Sequence, residues 1–121
     1  MSFGHADATL FGSIEVDENT GTVLYSNLTF GEAIEALKEG KKVTREGWNG
    51  KGMFLYLTDS SIVPYNNLTG NAGKYVTKEV TGTDDACICS HIDMKAADGT
   101  IVVGWLAGQT DMLAEDWEVV E

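Results

Sequence analysis

Apolar and polar residues fall in short blocks along this chain, and the blocks predict strands broken by turns, with one clear helix. Residues 8–28 read as a β-hairpin. Thr9-Leu10-Phe11 through Ile14-Glu15-Val16 mostly alternates, Asp17-Glu18-Asn19-Thr20-Gly21 is turn chemistry, and Thr22-Val23-Leu24-Tyr25 resumes the pattern. This is either an added arm or an edge hairpin. The period then becomes helical, with Phe30, Ala33, Ile34 and Leu37 on one face. Thr29 with Glu32 predicts a capping box, and Gly40 stands where a left-handed residue ends a helix. Lys42-Val43-Thr44-Arg45 predicts a short strand, Gly47–Gly52 a glycine-rich turn, and Met53–Leu57 a strongly apolar second strand. Residues 58–86 read as loop, with a strand piece at Tyr75-Val76 and Glu79-Val80. Alternation returns over residues 87–94, and Asp98-Gly99 predicts a hairpin joining His91–Lys95 to Thr100–Val103. Leu106 to Leu113 suits a short helix and Trp117–Val120 a last strand. The sum is an α+β fold: a mostly antiparallel β-sheet with one main N-terminal helix and one short C-terminal helix.

Composition narrows the class. The chain has 121 residues, 43% hydrophobic and 22% charged, as a single globular domain does. No apolar run approaches the ~20 residues of a membrane helix, and Met1-Ser2-Phe3-Gly4-His5 has no signal-peptide character, so the cytoplasm is the expected location. A net charge of −11 repels a polymer of phosphates and argues against general DNA or RNA binding. The cations are unevenly placed. Lys38, Lys41, Lys42, Arg45 and Lys51 are five of the eight, residues 1–37 and 96–121 have none, and Arg45 is the only arginine. Such a segment suits a small anionic ligand, or it is a solvated helix end whose cations complement the helix dipole.

The motifs exclude more than they assign. Arg45 and Gly52 stand where a Walker A loop has its first Gly and its Ser or Thr, so the turn at Gly50-Lys51 is not a P-loop. Cys87-x-Cys89-x-His91-x-Asp93 looks metal-like, but as one strand its ends lie ~20 Å apart, so four ligands cannot converge. Its cysteines read better as small buried hydrophobes. His91 beside Asp93 is an acid–base pair or a hydrogen-bonded strand histidine, and Glu115-Asp116 reads as a solvated end. No complete nucleophile–base–orienter set is present, so no catalytic residue, metal or cofactor is expected. The tryptophans are more informative. Trp48 lies in the glycine-rich turn and Trp105 precedes Gln109-Thr110-Asp111, whereas Trp117 in an alternating strand suits the core. A nucleobase between Trp48 and Trp105 is chemically sensible as a nucleotide pocket. Asn49, Gln109, Thr110 and Asp111 would then meet its edges, and Arg45 or Lys51 a phosphate. Both tryptophans serve equally well as core or interface packing.

Two long stretches add a resemblance. One runs from Phe30-Gly31-Glu32-Ala33-Ile34 through Gly40-Lys41-Lys42-Val43 to Arg45-Glu46-Gly47-Trp48-Asn49-Gly50-Lys51-Gly52-Met53. The other is His91-Ile92-Asp93-Met94-Lys95, Ala97-Asp98-Gly99-Thr100, then Trp105-Leu106-Ala107 and Gln109-Thr110-Asp111-Met112-Leu113-Ala114-Glu115-Asp116-Trp117. Both resemble the Thoeris anti-defence 2 family of small phage proteins, over a domain at 29–121 preceded by an extension at 1–28. The resemblance implies a non-catalytic sponge in the cytoplasm of an infected bacterium. It would bind and hold a cyclic ADP-ribose signal, 1''-3' glycocyclic ADP-ribose, with ligand pockets near the interfaces of a homotetramer. The alternative is specificity for the cyclic di- or trinucleotides of CBASS-type defence, with a hydrolase of such nucleotides behind it. Trp48 and Trp105 match the family's stacking tryptophans, and Asn49 and Gln109-Thr110-Asp111 match surrounding polar positions. Arg45 and Lys51 are added from charge alone. The chain departs from the family at residues 1–28, in the stretch 58–86, and at Gly104, where members often have proline.

Overall fold

The computed structural model describes residues 15–17, 21–48 and 51–121. The strands among them are β1 (Glu15–Asp17), β2 (Gly21–Leu28), β3 (Lys42–Arg45), β4 (Phe54–Thr58), β5 (Ser61–Val63), β6 (Ala86–Ile88), β7 (His91–Lys95), β8 (Ile101–Val102) and β9 (Trp117–Val120). The helices are α1 (Phe30–Lys38), α2 (Gly70–Tyr75), α3 (Lys78–Thr81) and α4 (Gln109–Leu113), with a 3-10 turn at Tyr65–Asn67. They form two compact units, one running to Leu57 and resuming at Ile92–Glu121, the other Thr58–His91.

The first unit is built on a sheet of order β1-β2-β9-β3-β4-β7-β8. The last strand of the chain lies inside it, antiparallel to both β2 and β3. Every residue of β9 is buried. Its Trp117 and Val119 join Leu28, Leu37, Val43 and Leu55 as fully covered side chains. Complete burial of one such aliphatic residue contributes about 1.5–3 kcal/mol, so this group holds the α1 face to the sheet. Ahead of α1, β1 pairs antiparallel with β2; residues 8–14 and 18–20 of the expected hairpin lie outside the described residues. β2 is no detached arm. It pairs with β9, and Val23 and Leu28 enter the core. Its register shifts twice, and Asn27 near the second shift adopts φ +58, a left-handed conformation asparagine tolerates.

α1 forms where the pattern places it. Thr29 Oγ1 accepts from the Glu32 N–H while Glu32 Oε1 accepts from the Thr29 N–H, a reciprocal cap. At the other end Gly40 has φ +85, its N–H donates to Leu37 O, and the Lys41 N–H donates to Ala36 O. This double bond pattern closes the helix and needs the left-handed glycine. The hairpin β7–β8 also follows the sequence. Gly99 has φ +93, and Asp98 Oδ1 accepts from both the N–H and the hydroxyl of Thr100.

The second unit corrects the sequence reading. Instead of loop with a strand piece at Tyr75–Val80, it holds two short helices and an antiparallel pair, β5 with β6. The Tyr65 hydroxyl joins Thr81 and the Thr83 carbonyl, tying α3 to the 3-10 turn. An ideal Cβ at Gly73 would meet Leu68 O at 2.6 Å, so that contact requires glycine. The expected run 87–94 is broken: β6 ends at Ile88, β7 starts at His91, and the two belong to different sheets. Cys87 and Cys89 are exposed rather than buried, because β6 lies in a two-stranded sheet that covers little.

Candidate functional site

The site forms where β3, the turn after it, the segment after β8 and α4 meet in the first unit. Three tryptophans pack here. Trp117 is buried and its ring centroid lies 5.4 Å from that of Trp48 and 6.3 Å from that of Trp105. Trp48 and Trp105 are half-buried, 6.3 Å apart, with their planes at 68°. All three contacts are edge-to-face, a favourable quadrupole arrangement. Phe30 of α1 closes the far side of Trp117 at 5.5 Å.

This geometry corrects one sequence expectation. A base sandwiched between Trp48 and Trp105 needs the two indoles parallel with a gap one ring wide. Here the ring centroids lie 6.3 Å apart with their planes at 68°, which leaves no parallel gap for a base between them.

Arg45 organises the polar side. Its Nε donates to Asp116 Oδ1 and its Nη1 to Asp111 Oδ1, each at 2.9 Å. The Gly47 N–H also donates to Asp116 Oδ2 at 2.8 Å. Asp111 is further engaged. The Trp48 indole N–H donates to Oδ1 at 3.3 Å, the Gly108 N–H donates to Oδ2 at 3.0 Å, and the Trp117 indole N–H donates to its backbone carbonyl at 2.9 Å. The chain's only arginine is therefore shared by two carboxylates, and the cluster carries net negative charge. Arg45 stands as a clamp between β3 and α4 rather than a free cation for a phosphate. Asp116, expected in a solvated end before the last strand, is the second half of that clamp.

The electrostatics follow from these contacts. The hydrogen bond to Asp116 raises the Arg45 guanidinium further above its ordinary value, against desolvation and with help from Asp111. Burial alone would push both carboxyls up. The Gly108 N–H, Arg45 and the Trp48 indole outweigh it at Asp111, and Arg45 with the Gly47 N–H outweighs it at Asp116. Both stay below the usual carboxylate range and ionised at neutral pH. The clamp also explains Gly47, where an added Cβ would lie 2.7 Å from Asp116 Oδ2.

The remaining site residues fall as follows. Gln109 and Thr110 are exposed on the first turn of α4, beside Asp111. Lys51 is exposed in the turn before β4. Asn49 lies outside the described residues. Trp105 is anchored by its N–H to Ile92 O at 2.7 Å, and Gly104 before it has φ +81. Proline is locked near φ −65°, so a proline could not adopt this backbone. Asp93 and Lys95 of β7 also enter the site. Asp93 Oδ1 accepts from the Gly104 N–H at 2.9 Å, and Lys95 Nζ donates to Gly52 O at 3.1 Å. The sequence reading weighed Asp93 only as part of a metal-like string or an acid–base pair with His91, and gave Lys95 no site role.

Comparison with known proteins identifies the family. A family model described as a Thoeris anti-defense 2-like domain matches residues 28–120. A curated protein named Thoeris anti-defense 2, from Bacillus phage SP01, is 41% identical over 95 residues, spanning 78% of this chain and 97% of that protein. The family match begins at Leu28, the last residue of β2, and so takes in every described residue that builds the tryptophan cluster and its clamp. Likeness of that extent shows kinship: the chain belongs to the Thoeris anti-defence 2 family, and its role is anti-defence against Thoeris.

Proposed function

We propose that this protein is a non-catalytic sponge that binds and sequesters 1''-3' glycocyclic ADP-ribose and so blocks Thoeris signalling. The observation that carries the reading is the pair of half-buried indoles, Trp48 and Trp105, beside the exposed Gln109 and Thr110 of α4. Half-exposed indole faces stack on nucleobases at about 1–3 kcal/mol per base. The exposed amide and hydroxyl supply hydrogen bonds to a base edge or a ribose. Lys51, exposed in the turn before β4, supplies a cation for a phosphate, while Arg45 and Asp111 frame the site through their mutual ion pair. A sponge needs affinity without bond breaking, and an arginine held by two carboxylates suits a fixed binding frame.

The protein acts as a homo-oligomer, a tetramer in our reading. Two features support assembly. Trp48 and Trp105 are only half-buried and leave no parallel gap between them for a base, so a second copy is a natural source of the other wall of a stacking pocket. In addition, β8 ends the sheet order, and Ile101, Val102, Val103 and Leu106 are exposed there. Gly99 through Thr110 contain no charged residue in a chain of net charge −11. An uncharged apolar sheet edge is a surface that proteins normally cover.

The test is titration calorimetry with 1''-3' glycocyclic ADP-ribose against wild type, Trp48→Ala and Trp105→Ala. Wild type binds, and each variant loses affinity by at least tenfold, the equivalent of about 1.4 kcal/mol. Undiminished binding by both folded variants would refute the stacking site.

A further inference from the structure

Two left-handed glycines, one next to Trp105 and one four residues after Trp48, are tied to one strand. Asp93 and Lys95 are two positions apart on β7, so their side chains leave the same face while Met94 faces the other way. Asp93 is only 3% exposed, and its Oδ1 takes the N–H of Gly104. That residue is left-handed, at φ +81, and immediately precedes Trp105, whose own N–H is held by Ile92 O on the same strand. Lys95 reaches the opposite way and donates to the carbonyl of Gly52. Gly52 is buried and left-handed, at φ +74, and follows Trp48 by four residues in the sequence. One strand therefore holds a glycine next to each of the two site-bearing segments, with a carboxylate for one and an ammonium for the other.

We propose that Asp93 and Lys95 are positioning residues for the nucleotide site: from one face of β7 they fix the left-handed Gly104, next to Trp105, and Gly52, four residues after Trp48, and so set the relative pose of the two indoles that selects the ligand. The ligand half of this inference rests on the function proposed above; the indole pose does not. The physical reason is preorganisation. Both glycines adopt left-handed backbone conformations that many chain states compete with, and a partly buried hydrogen bond at each removes that freedom before ligand arrives. Gly104 makes the Asp93 bond possible, because proline at this position would offer no N–H. A chain with proline here must hold its second tryptophan in another way, so the Asp93–Gly104 bond is a point where ligand preference can diverge.

The experiment compares wild type with Lys95→Met, Asp93→Asn, Asp93→Ala, Gly104→Ala and, as a surface control, Lys38→Met. Each is measured for melting temperature, for the tryptophan exciton signal in circular dichroism, and for relative affinity toward 1''-3' glycocyclic ADP-ribose and a cyclic dinucleotide. Lys95→Met keeps the aliphatic stem and removes the donor; Asp93→Asn keeps an acceptor oxygen. Lys95→Met and Gly104→Ala change the exciton signal, and the affinity ratio between the two ligands shifts by roughly tenfold. Asp93→Asn stays near wild type, and Lys38→Met is unchanged. If Asp93→Ala does not fold, Lys95→Met and Gly104→Ala still decide the matter. An exciton signal unchanged in both, whatever their melting temperatures, overturns the positioning role. A changed signal with an unchanged affinity ratio overturns the link to ligand choice. Failure of wild type to bind either nucleotide refutes the sponge reading instead, and the exciton signal then judges the indole pose alone.

Discussion

Arg45 shows how one residue can be conspicuous in a sequence and still be misread. As the single arginine of an acidic chain it invites a role on a phosphate. Its partners Asp111 and Asp116 lie 66 and 71 residues away, and nothing local announces them. The structure gives Arg45 a framing task, and this makes a stability prediction. Arg45→Ala leaves two partly covered carboxylates without their cation and should cost about 2 kcal/mol in urea unfolding. Arg45→Lys should recover only part of that, because an ammonium cannot serve both carboxylates in a fork. The sign of the pH dependence follows from the same contacts. Asp111 and Asp116 are held below their ordinary value of 3.8, so the unfolded chain takes up their protons first as pH falls. Their contribution is fully present well above 3.8 and is lost as pH drops through and below it. Acid unfolding of Arg45→Ala should show a shallower loss of stability in that window than wild type. Equal slopes would mean the carboxyls are not held down by Arg45.

At the scale of elements, legibility followed locality. α1 could be read whole, because its cap, its apolar face and its closing glycine lie within a dozen consecutive residues. Thr29→Ala removes the side-chain half of the cap and should lower stability by about 1 kcal/mol, seen as a shifted denaturation midpoint with an unchanged slope. An unmoved midpoint would mean that Glu32 alone secures the helix start. The hairpin β7–β8 was equally legible from Asp98-Gly99. The stretch 58–91 was not. α2 and α3 are of six and four residues, too short to show a helical period, and their glycines and asparagines read as loop. The alternation through Cys87 and His91 likewise hid a break at Cys89-Ser90, because period alone does not say where one strand stops and the next begins. In the site, Trp48, Trp105, Gln109 and Thr110 were legible as residue types. Their edge-to-face geometry and the supports from β7 depend on pairings between distant segments, which no local pattern contains.

At the scale of the whole molecule the chain poses a problem of surface. It is strongly acidic, yet the sheet ends in an apolar, uncharged strand and loop. The proposed self-association through that edge would resolve the conflict, since it is where like-charge repulsion between copies is least. Val103→Glu with Leu106→Glu should therefore lower the mass found by light scattering while leaving the circular dichroism of the fold intact. An unchanged mass would move the interface elsewhere on the surface. No helix among the described residues is long and apolar enough to cross a membrane, so this apolar surface is not part of a helical membrane span.

The central claim is capture without conversion, and one measurement addresses it directly. Purified protein is mixed with 1''-3' glycocyclic ADP-ribose and filtered, and the retained protein is heated and its released nucleotide identified by mass spectrometry. The account predicts that the nucleotide leaves the filtrate and returns intact on heating. A nucleotide that returns hydrolysed, or one that never leaves the filtrate, would contradict it.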